Sequence, residues 1–292
     1  MRKTQVNRVF MLTAFGVYCW IYPSSVVLVM LDRVPVGTEW MASFMLVVGG
    51  LVAASWVTLN YGLRQGLLAS GGLFGLGLLV ESVGVATGFP FGRYNYTEVL
   101  SPKLLGVPVG IIFAWLMVVL SAFFTTRYLL GNLRPHWNRW AGLVIAAALA
   151  LASDFLMEPV AVYIQNYWTW HDSGLYYGVP EANFVAWGFI SLLMVWLLNR
   201  LTVESVPAPT PGSPRLKFMF IPPALFLMNL TMFTLVNFSH NNYLAGAIGL
   251  PVIVVCLGLI VVTARKNRKT RTAKEGRKAL ETPYDPAFSV KE

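Results

Sequence analysis

The sequence has few charged residues, few cysteines and few histidines, and each shortage excludes a class of protein. Only 12% of the 292 residues are charged, about half of the roughly 25% found in soluble domains, which argues against a water-soluble globule. Cys19 and Cys256 lie in apolar runs at opposite ends of the chain, so neither a disulfide framework nor a cysteine-based metal site is expected. His136, His171 and His240 are too few and too scattered for the ligand set of a membrane di-iron oxygenase.

Apolar residues make up 56% of the chain and collect in long runs. A transmembrane helix needs about 20 mostly apolar residues. Eight runs qualify, near 9–30, 40–59, 67–87, 107–128, 141–163, 183–201, 218–238 and 244–264. We therefore predict an all-α polytopic membrane protein with about eight transmembrane helices, in one integral membrane domain over residues 1–264.

Lys and Arg are distributed unevenly between alternate connections of these spans. Of the 22 Lys and Arg, only Arg33, Arg93 and Lys103 fall on one side. Because positive residues are retained on the cytoplasmic side, we expect both termini to be cytoplasmic in a multi-pass protein of the plasma membrane. The net charge of +9 then reflects topology. Residues 265–292 are expected to form a solvated basic tail that contacts no nucleic acid, and residues 202–216 a cytoplasmic linker.

Three acids lie inside predicted spans: Glu81 in the third, and Asp154 and Glu158 in the fifth. An ionisable group at bilayer depth costs about 2.5–3.5 kcal/mol on insertion scales, so such residues are functional candidates. Both spans run from inside to outside and carry their acids in the outer half, so the three carboxyls are expected to share one layer. Asp154 and Glu158 are i,i+4 neighbours on one helix face, where they repel unless one holds a proton. The structural alternative is an interhelical hydrogen bond or an ion pair, for instance with Arg93.

The two outer connections that follow these acids are rich in aromatic residues and resemble each other. Gly106-Val107-Pro108 precedes Ala114-Trp115, and Gly178-Val179-Pro180 precedes Ala186-Trp187 at an offset of 72 residues. This pattern suggests an internal repeat of helices 3–4 and 5–6 in one orientation. A repeat of this kind sets two acid-bearing helices around one outer-leaflet cavity with aromatic walls.

Protonated carboxyls among aromatic rings suit reactions that pass through a carbocation. The acid delivers a proton to an alkene, and the ring faces stabilise the cation. A second carboxylate can then orient or deprotonate a water molecule. No metal or other cofactor is expected, which agrees with the lack of a Rossmann glycine fingerprint, a P-loop or a histidine cluster in the sequence.

The joint pattern resembles the CruF-type carotenoid 1,2-hydratases, a carotenoid biosynthesis family that includes the bisanhydrobacterioruberin hydratases. The resemblance is strongest over residues 75–200. It rests on Glu81 with the segment Thr87 to Tyr96, on Asp154 with Glu158-Pro159, and on the two Gly-Val-Pro segments with Tyr176, Tyr177, Asn183 and the tryptophans that follow. It implies addition of water to the terminal 1,2 double bond of an acyclic ψ end group, on an acyclic or monocyclic carotenoid. Protonation at carbon 2 and water capture at carbon 1 give a tertiary 1-hydroxy carotenoid.

Within this hypothesis Asp154 is the proton donor, Glu158 shares the proton or keeps Asp154 protonated, and Glu81 positions or deprotonates the attacking water. Arg93 is expected to pair with one acid or to close the site. The remaining candidates are wall or substrate-contact residues, of which Asn183 also hydrogen-bonds across helices or holds water; they are Tyr94, Tyr96, Trp115, Tyr177, Asn183, Trp187 and His171. The substrate-side partners are the carotenoid, water and membrane lipid, and the oligomeric state stays open.

Two other functions remain open from the residues alone. A lycopene-type end-group cyclase begins with a comparable protonation but captures the cation intramolecularly, and only the family resemblance separates it from a hydratase. A proton-coupled transporter also uses intramembrane acids. It requires polar residues that continue through the inner half of the spans, which are mostly apolar here.

Overall fold

The described part of the chain folds into a bundle of eight long helices, as predicted. The computed structural model describes residues 2–133, 139–203 and 218–281. The helices are α1 (Arg2–Met30), α2 (Trp40–Tyr61), α3 (Leu63–Thr87), α4 (Val109–Leu133), α5 (Arg139–Pro159), α6 (Glu181–Leu198), α7 (Ile221–Ser239) and α8 (Tyr243–Glu281). Each contains a stretch long and apolar enough to cross a membrane. The protein is thus an all-α multi-pass membrane protein.

Several helix ends follow from local sequence. Gly62 separates α2 from α3 with a φ of 93°, a backbone conformation that side-chain-bearing residues rarely adopt. Pro159 ends α5 as a regular α-helix, since proline has no N–H to continue the ladder. The chain continues there as a π-helical turn over Val160–Ile164. A second π-helical turn, Asn199–Val203, extends α6.

The structure describes only part of the predicted linker and part of the predicted tail. The predicted linker covers residues 202–216, of which 204–216 lie outside the described residues. The helical backbone of α8 continues past the predicted start of the tail at residue 265 and ends at Glu281. Residues 282–292 lie outside the described part of the chain.

Helix α4 forms the centre of the bundle and is buried along most of its length. It packs against α2, α5 and α7. The backbones of α2 and α4 approach closely at Gly50, where a side chain would collide with Phe113. The last helix pair is tied to the rest by hydrogen bonds, from Asn237 Nδ2 to the Leu156 carbonyl and from Tyr22 O–H to the Met228 carbonyl.

The loops at one end of the bundle contain four short strands. The strands are β1 (Tyr94–Tyr96), β2 (Lys103–Leu104), β3 (Val107–Pro108) and β4 (Trp168–Trp170). β1 and β4 pair antiparallel, with Tyr94 opposite Trp170 and Tyr96 opposite Trp168. We refer to the β1–β4 pair as the ribbon. The two aromatic connections that resemble each other in sequence are therefore joined by main-chain hydrogen bonds across this end of the bundle.

Candidate active site

The three membrane acids meet at one cavity beneath the ribbon. The cavity has a volume of about 40 Å³, enough for about two or three water molecules. Its polar lining comes from Glu81 of α3, Asp154 and Glu158 of α5, and Asn183 of α6. Its other walls are aromatic and apolar, and they comprise Phe91, Tyr94, Tyr96, Ile111, Ala114, Trp115, Val118, Met157, Trp168, Trp170 and Trp187. The prediction of one shared acid layer with aromatic walls agrees with this arrangement.

Glu81 is buried and accepts three hydrogen bonds. Its Oε2 receives the hydroxyls of Tyr94 at 2.6 Å and Tyr96 at 2.8 Å, and its Oε1 receives the indole N–H of Trp115 at 2.8 Å. Burial, followed by the nearby Glu81 carboxylate, raises the pKa of both phenols. Both hydroxyls therefore stay protonated and act as donors. The two oxygens of a carboxylate can accept about four hydrogen bonds, so one position on Glu81 remains for a water molecule.

Glu158 is also buried and also accepts three hydrogen bonds. The indole N–H groups of Trp168 and Trp170 donate to its Oε2 at 3.2 and 3.0 Å, and Asn183 Nδ2 donates to its Oε1 at 3.2 Å. No Lys or Arg among the described residues forms an ion pair with Glu158, so these three donors are the groups that stabilise its charged form there.

Asp154 differs from the other two acids in its supply of hydrogen bonds. The residue is fully buried, at 0% exposure. Its Oδ2 accepts one hydrogen bond, from Asn183 Nδ2 at 2.9 Å. Its Oδ1 has no partner among the described residues. One amide nitrogen of Asn183 thus donates to both Asp154 and Glu158 and holds the two carboxyls side by side.

The ribbon supplies the donors for both acid clusters. In a strand, alternate side chains point to the same face, so Tyr94 and Tyr96 of β1 both reach Glu81. By the same alternation Trp168 and Trp170 of β4 both reach Glu158. Because β1 and β4 pair, Glu81 and Glu158 are covered by one small sheet.

Two tryptophans join the central helices at the cavity. The rings of Trp115 on α4 and Trp187 on α6 stack with centroids 3.8 Å apart. Gly77 of α3 faces the Trp115 ring, with room for little more than a methyl group. Both tryptophans were predicted as wall residues, and both line the cavity.

Three predicted site residues lie elsewhere. Arg93 does not pair with a membrane acid, so that expectation is wrong. Its guanidinium and backbone N–H both bond the carboxylate of Asp172, with Nη2 2.7 Å from Oδ1, on the exposed face of the ribbon. His171 lies on the same outer face, where its ring contacts the side-chain amide of Asn95.

Tyr177 is the third of these residues. It adopts a positive φ of 48° in the loop before α6, and its hydroxyl lies 3.4 Å from the backbone nitrogen of Ala245 on α8. It does not line the cavity. The predicted substrate contacts of Arg93, His171 and Tyr177 therefore have no support from their positions.

Sequence analysis did not predict that Trp168 and Trp170 donate hydrogen bonds to Glu158. Their signal was present, because Trp168-Thr169-Trp170 alternates aromatic and polar residues as Tyr94-Asn95-Tyr96 does. Such alternation is typical of a half-buried strand. Phe91, which closes the cavity beside Tyr94, was also missed as a site residue.

No group of three or more His, Cys, Asp or Glu side chains within the described ranges 2–133, 139–203 and 218–281 is arranged to hold a metal ion. The donor set of the cavity consists of carboxyl, phenol, indole and amide groups, which can transfer protons and hold water.

The part of the chain that carries the site matches a known protein family. The family model described as "Carotenoid biosynthesis protein" matches residues 41–256, a range that contains all three acids and the ribbon. A protein of Haloarcula japonica named bisanhydrobacterioruberin hydratase is 34% identical over 119 residues, which are 39% of this chain and 39% of that protein. The match therefore spans well under half of that relative's length. No solved structure matches the chain. Because the family match covers well over half of the sequence, this chain belongs to the carotenoid biosynthesis protein family.

Proposed function

We propose that this protein is a carotenoid 1,2-hydratase that adds water to the terminal double bond of a ψ end group on an acyclic or monocyclic carotenoid. The reaction proceeds by protonation from a carboxylic acid and gives a 1-hydroxy carotenoid, without a cofactor. The family match and the name of the Haloarcula japonica relative support a carotenoid as the substrate and hydration as the reaction. The protein works in the plasma membrane, with the cavity toward the outer leaflet and both termini in the cytoplasm.

We assign the catalytic roles of the three acids from the unequal numbers of hydrogen bonds that they accept. Among the described residues, Glu81 and Glu158 each accept three hydrogen bonds, whereas Asp154 accepts one and its buried Oδ1 has no partner. Donors stabilise the charged form of a carboxyl group. A proton shared among these acids is therefore held most favourably by Asp154, whose free oxygen can present it to an alkene.

The reaction balances as the net addition of one water. The Asp154 carboxyl gives its proton to carbon 2 of the end group, and the π electrons form the new C–H bond. The tertiary cation at carbon 1 is captured by a water held at the fourth acceptor position of Glu81. The proton that the water loses passes to Glu81 and returns to Asp154 through the same cavity, since both carboxyls line it.

The aromatic walls stabilise the cation before water captures it. A cation over a ring face is favoured by about 0.5–2 kcal/mol per ring, with the larger values in desolvated sites. Trp115, Trp187, Trp168 and Trp170 all border the cavity. Their N–H groups that bond the acids also fix the orientation of three of these rings.

The first test is the pigment of a host that makes lycopene and expresses this chain. A hydratase yields a product heavier by the mass of one water for each reacted end. An end-group cyclase yields a product of unchanged mass with a new ring, which contradicts the proposal. Unaltered pigment beside normal amounts of folded protein contradicts hydration of lycopene and leaves the transporter function open.

Asp154→Asn tests the assignment of the acid. The variant keeps the size of the side chain and removes the proton, so we expect turnover to fall by at least about a hundredfold, the usual share of general acid catalysis. Asp32→Asn is the matched control, since Asp32 lies in the exposed α1–α2 connection, away from the cavity. Near-normal turnover by Asp154→Asn would remove Asp154 from the acid role.

A further inference from the structure

A second, larger concavity opens on the surface of the bundle between α3 and α6. Its volume is about 620 Å³, which lies within the range of roughly 300–1,000 Å³ found for small-molecule binding sites. All of its lining residues are apolar. The lining consists of Leu79, Val80 and Val83 on α3, Phe89-Pro90 in the following loop, and the face of α6 from Ala182 to Ile190. We refer to this concavity as the groove.

The groove opens outward from the bundle, on helices that are long and apolar enough to cross a membrane. Several side chains along it are strongly exposed, with Phe89 at 73%, Phe189 at 72% and Leu79 at 60%. α3 and α6 contact each other at few points, so the seam between them is loosely packed. The groove lies within two membrane-spanning helices, at the end of the bundle that carries the acids, so acyl chains rather than water surround it.

The groove and the acid cavity share a wall. Three elements contribute consecutive residues to both: Val80 faces the groove and Glu81 the cavity, Pro90 the groove and Phe91 the cavity, and Ala186 the groove and Trp187 the cavity. Consecutive residues of a helix point about 100° apart. The two spaces therefore lie on adjacent faces of the same helices, separated by one layer of side chains.

The sizes of the two spaces indicate what each can hold. The acid cavity has room for a few waters, and a long polyene does not fit in it. An extended hydrocarbon that reacts at one end needs an apolar channel beside the acids, with its end group directed toward them.

We propose that the groove between α3 and α6 binds the polyene chain of the carotenoid, which enters laterally from the bilayer and passes its end group between the two helices to the acids. The identity of the occupant rests on the proposed function. The wall that groove and cavity share, formed by three pairs of neighbouring residues, argues for substrate over a structural lipid. A lipid acyl chain would need no route to a carboxyl group.

A fluorescent label distinguishes these occupants. A dye whose emission overlaps polyene absorption is attached to Phe189→Cys at the groove or to Val261→Cys on α8, in a Cys19→Ala, Cys256→Ala chain reconstituted in phosphatidylcholine nanodiscs. Asp154→Asn is included to prevent turnover. Lycopene is expected to quench the label at 189 at lower concentration than the label at 261. Equal quenching at both positions would overturn the proposal and leave the groove to lipid.

A filling variant tests the same groove through function. Ala182 is exposed on the groove wall, so Ala182→Phe fills space without disturbing the core. We expect the apparent KM, and the lycopene concentration that half-quenches the label at 189, to rise about tenfold, which equals about 1.4 kcal/mol. Ala247→Phe on α8 is the matched control, since Ala247 is also exposed near the same end of the bundle. It should change neither value.

The possible outcomes distinguish failure of the groove proposal from failure of the hydratase proposal. If wild-type protein converts lycopene and Ala182→Phe behaves like Ala247→Phe, the groove proposal fails and the hydratase proposal stands. If wild-type protein converts no carotenoid but lycopene quenches the label at 189 and Ala182→Phe weakens this, the groove proposal stands and the hydratase proposal fails.

Discussion

The indole rings of Trp115 and Trp187 stack face to face, with 3.8 Å between centroids and 15° between planes. The stack joins α4 to α6 at the level of the acids, and the Trp115 N–H also bonds Glu81. The pair thus couples a helix contact to the orientation of a carboxylate.

Trp187→Phe should weaken this coupling. The smaller ring removes part of the stack, and aromatic pairs are worth about 0.5–1.5 kcal/mol beyond their buried area. We expect lower thermal stability and a severalfold lower turnover, measured on purified protein with lycopene. Trp20→Phe is the control, because Trp20 is 83% exposed on α1 and should change neither property. Equal effects of the two variants would show that the stack has no role.

Asn183→Leu should disturb the Asp154 and Glu158 pair. Leucine keeps the branching of asparagine at Cγ, although its side chain is larger, and it has no N–H, so both carboxyls lose a donor. Leaving a buried polar group without its partner costs about 1–3 kcal/mol. We expect kcat/KM to fall at least tenfold. Asn95→Leu on the outer face of the ribbon should retain turnover, and normal kinetics for Asn183→Leu would contradict the bridging role.

Tyr94→Phe and Tyr96→Phe should act together on Glu81. Each variant keeps the ring and removes one of the three donors, so each should reduce turnover modestly. The double variant should lose more than the product of the single effects, because Glu81 then keeps only the Trp115 N–H. Tyr163→Phe, which removes an exposed hydroxyl bonded to the Tyr177 carbonyl, is the control. A double variant with wild-type turnover would exclude Glu81 from positioning the water.

The Arg93–Asp172 pair should give the ribbon a dependence on pH. Hydrogen bonds from the Arg93 side chain and backbone lower the pKa of Asp172. A group whose pKa is depressed on folding contributes stability above its unfolded pKa, about 3.9 for Asp, and loses it as the pH falls through the lower folded value. The protection factors of the ribbon amides, corrected for the intrinsic pH dependence of exchange, should therefore fall below about pH 4. Asp172→Asn should exchange faster at neutral pH and lose most of this acid dependence.

Arg93→Ala separates the ribbon from the chemistry. The pair lies on the exposed face, outside the cavity lining, so the variant should loosen the ribbon and retain most of the turnover. Complete loss of turnover in a folded Arg93→Ala protein would contradict this prediction and indicate that Arg93 takes part in the reaction.

The helices and the acid layer were predictable because their signals are local. Long apolar runs specify the spans, and the positions of Glu81, Asp154 and Glu158 along two of them specify a common depth. The segments Tyr94 to Tyr96 and Trp168 to Trp170 were predicted only as aromatic loops, although both alternate aromatic and polar residues.

The partners of individual side chains were harder to predict. Arg93 was expected to meet a membrane acid, but the ribbon turns it outward to Asp172 while its neighbour Tyr94 points inward. The direction of these side chains depends on pairing with a segment more than seventy residues away in the sequence. A local sequence pattern does not predict such a pairing. The internal repeat and the cytoplasmic location of the termini remain predictions.

The most direct test of the account is isotopic labelling with the purified protein. Lycopene is incubated once in heavy-oxygen water and once in deuterium oxide, and the product is analysed by mass spectrometry. We expect one heavy oxygen at carbon 1 for each reacted end, one deuterium at carbon 2, and neither label with Asp154→Asn. A product without oxygen from water, or deuterium incorporated by Asp154→Asn as fast as by the wild type, would contradict hydration through this acid.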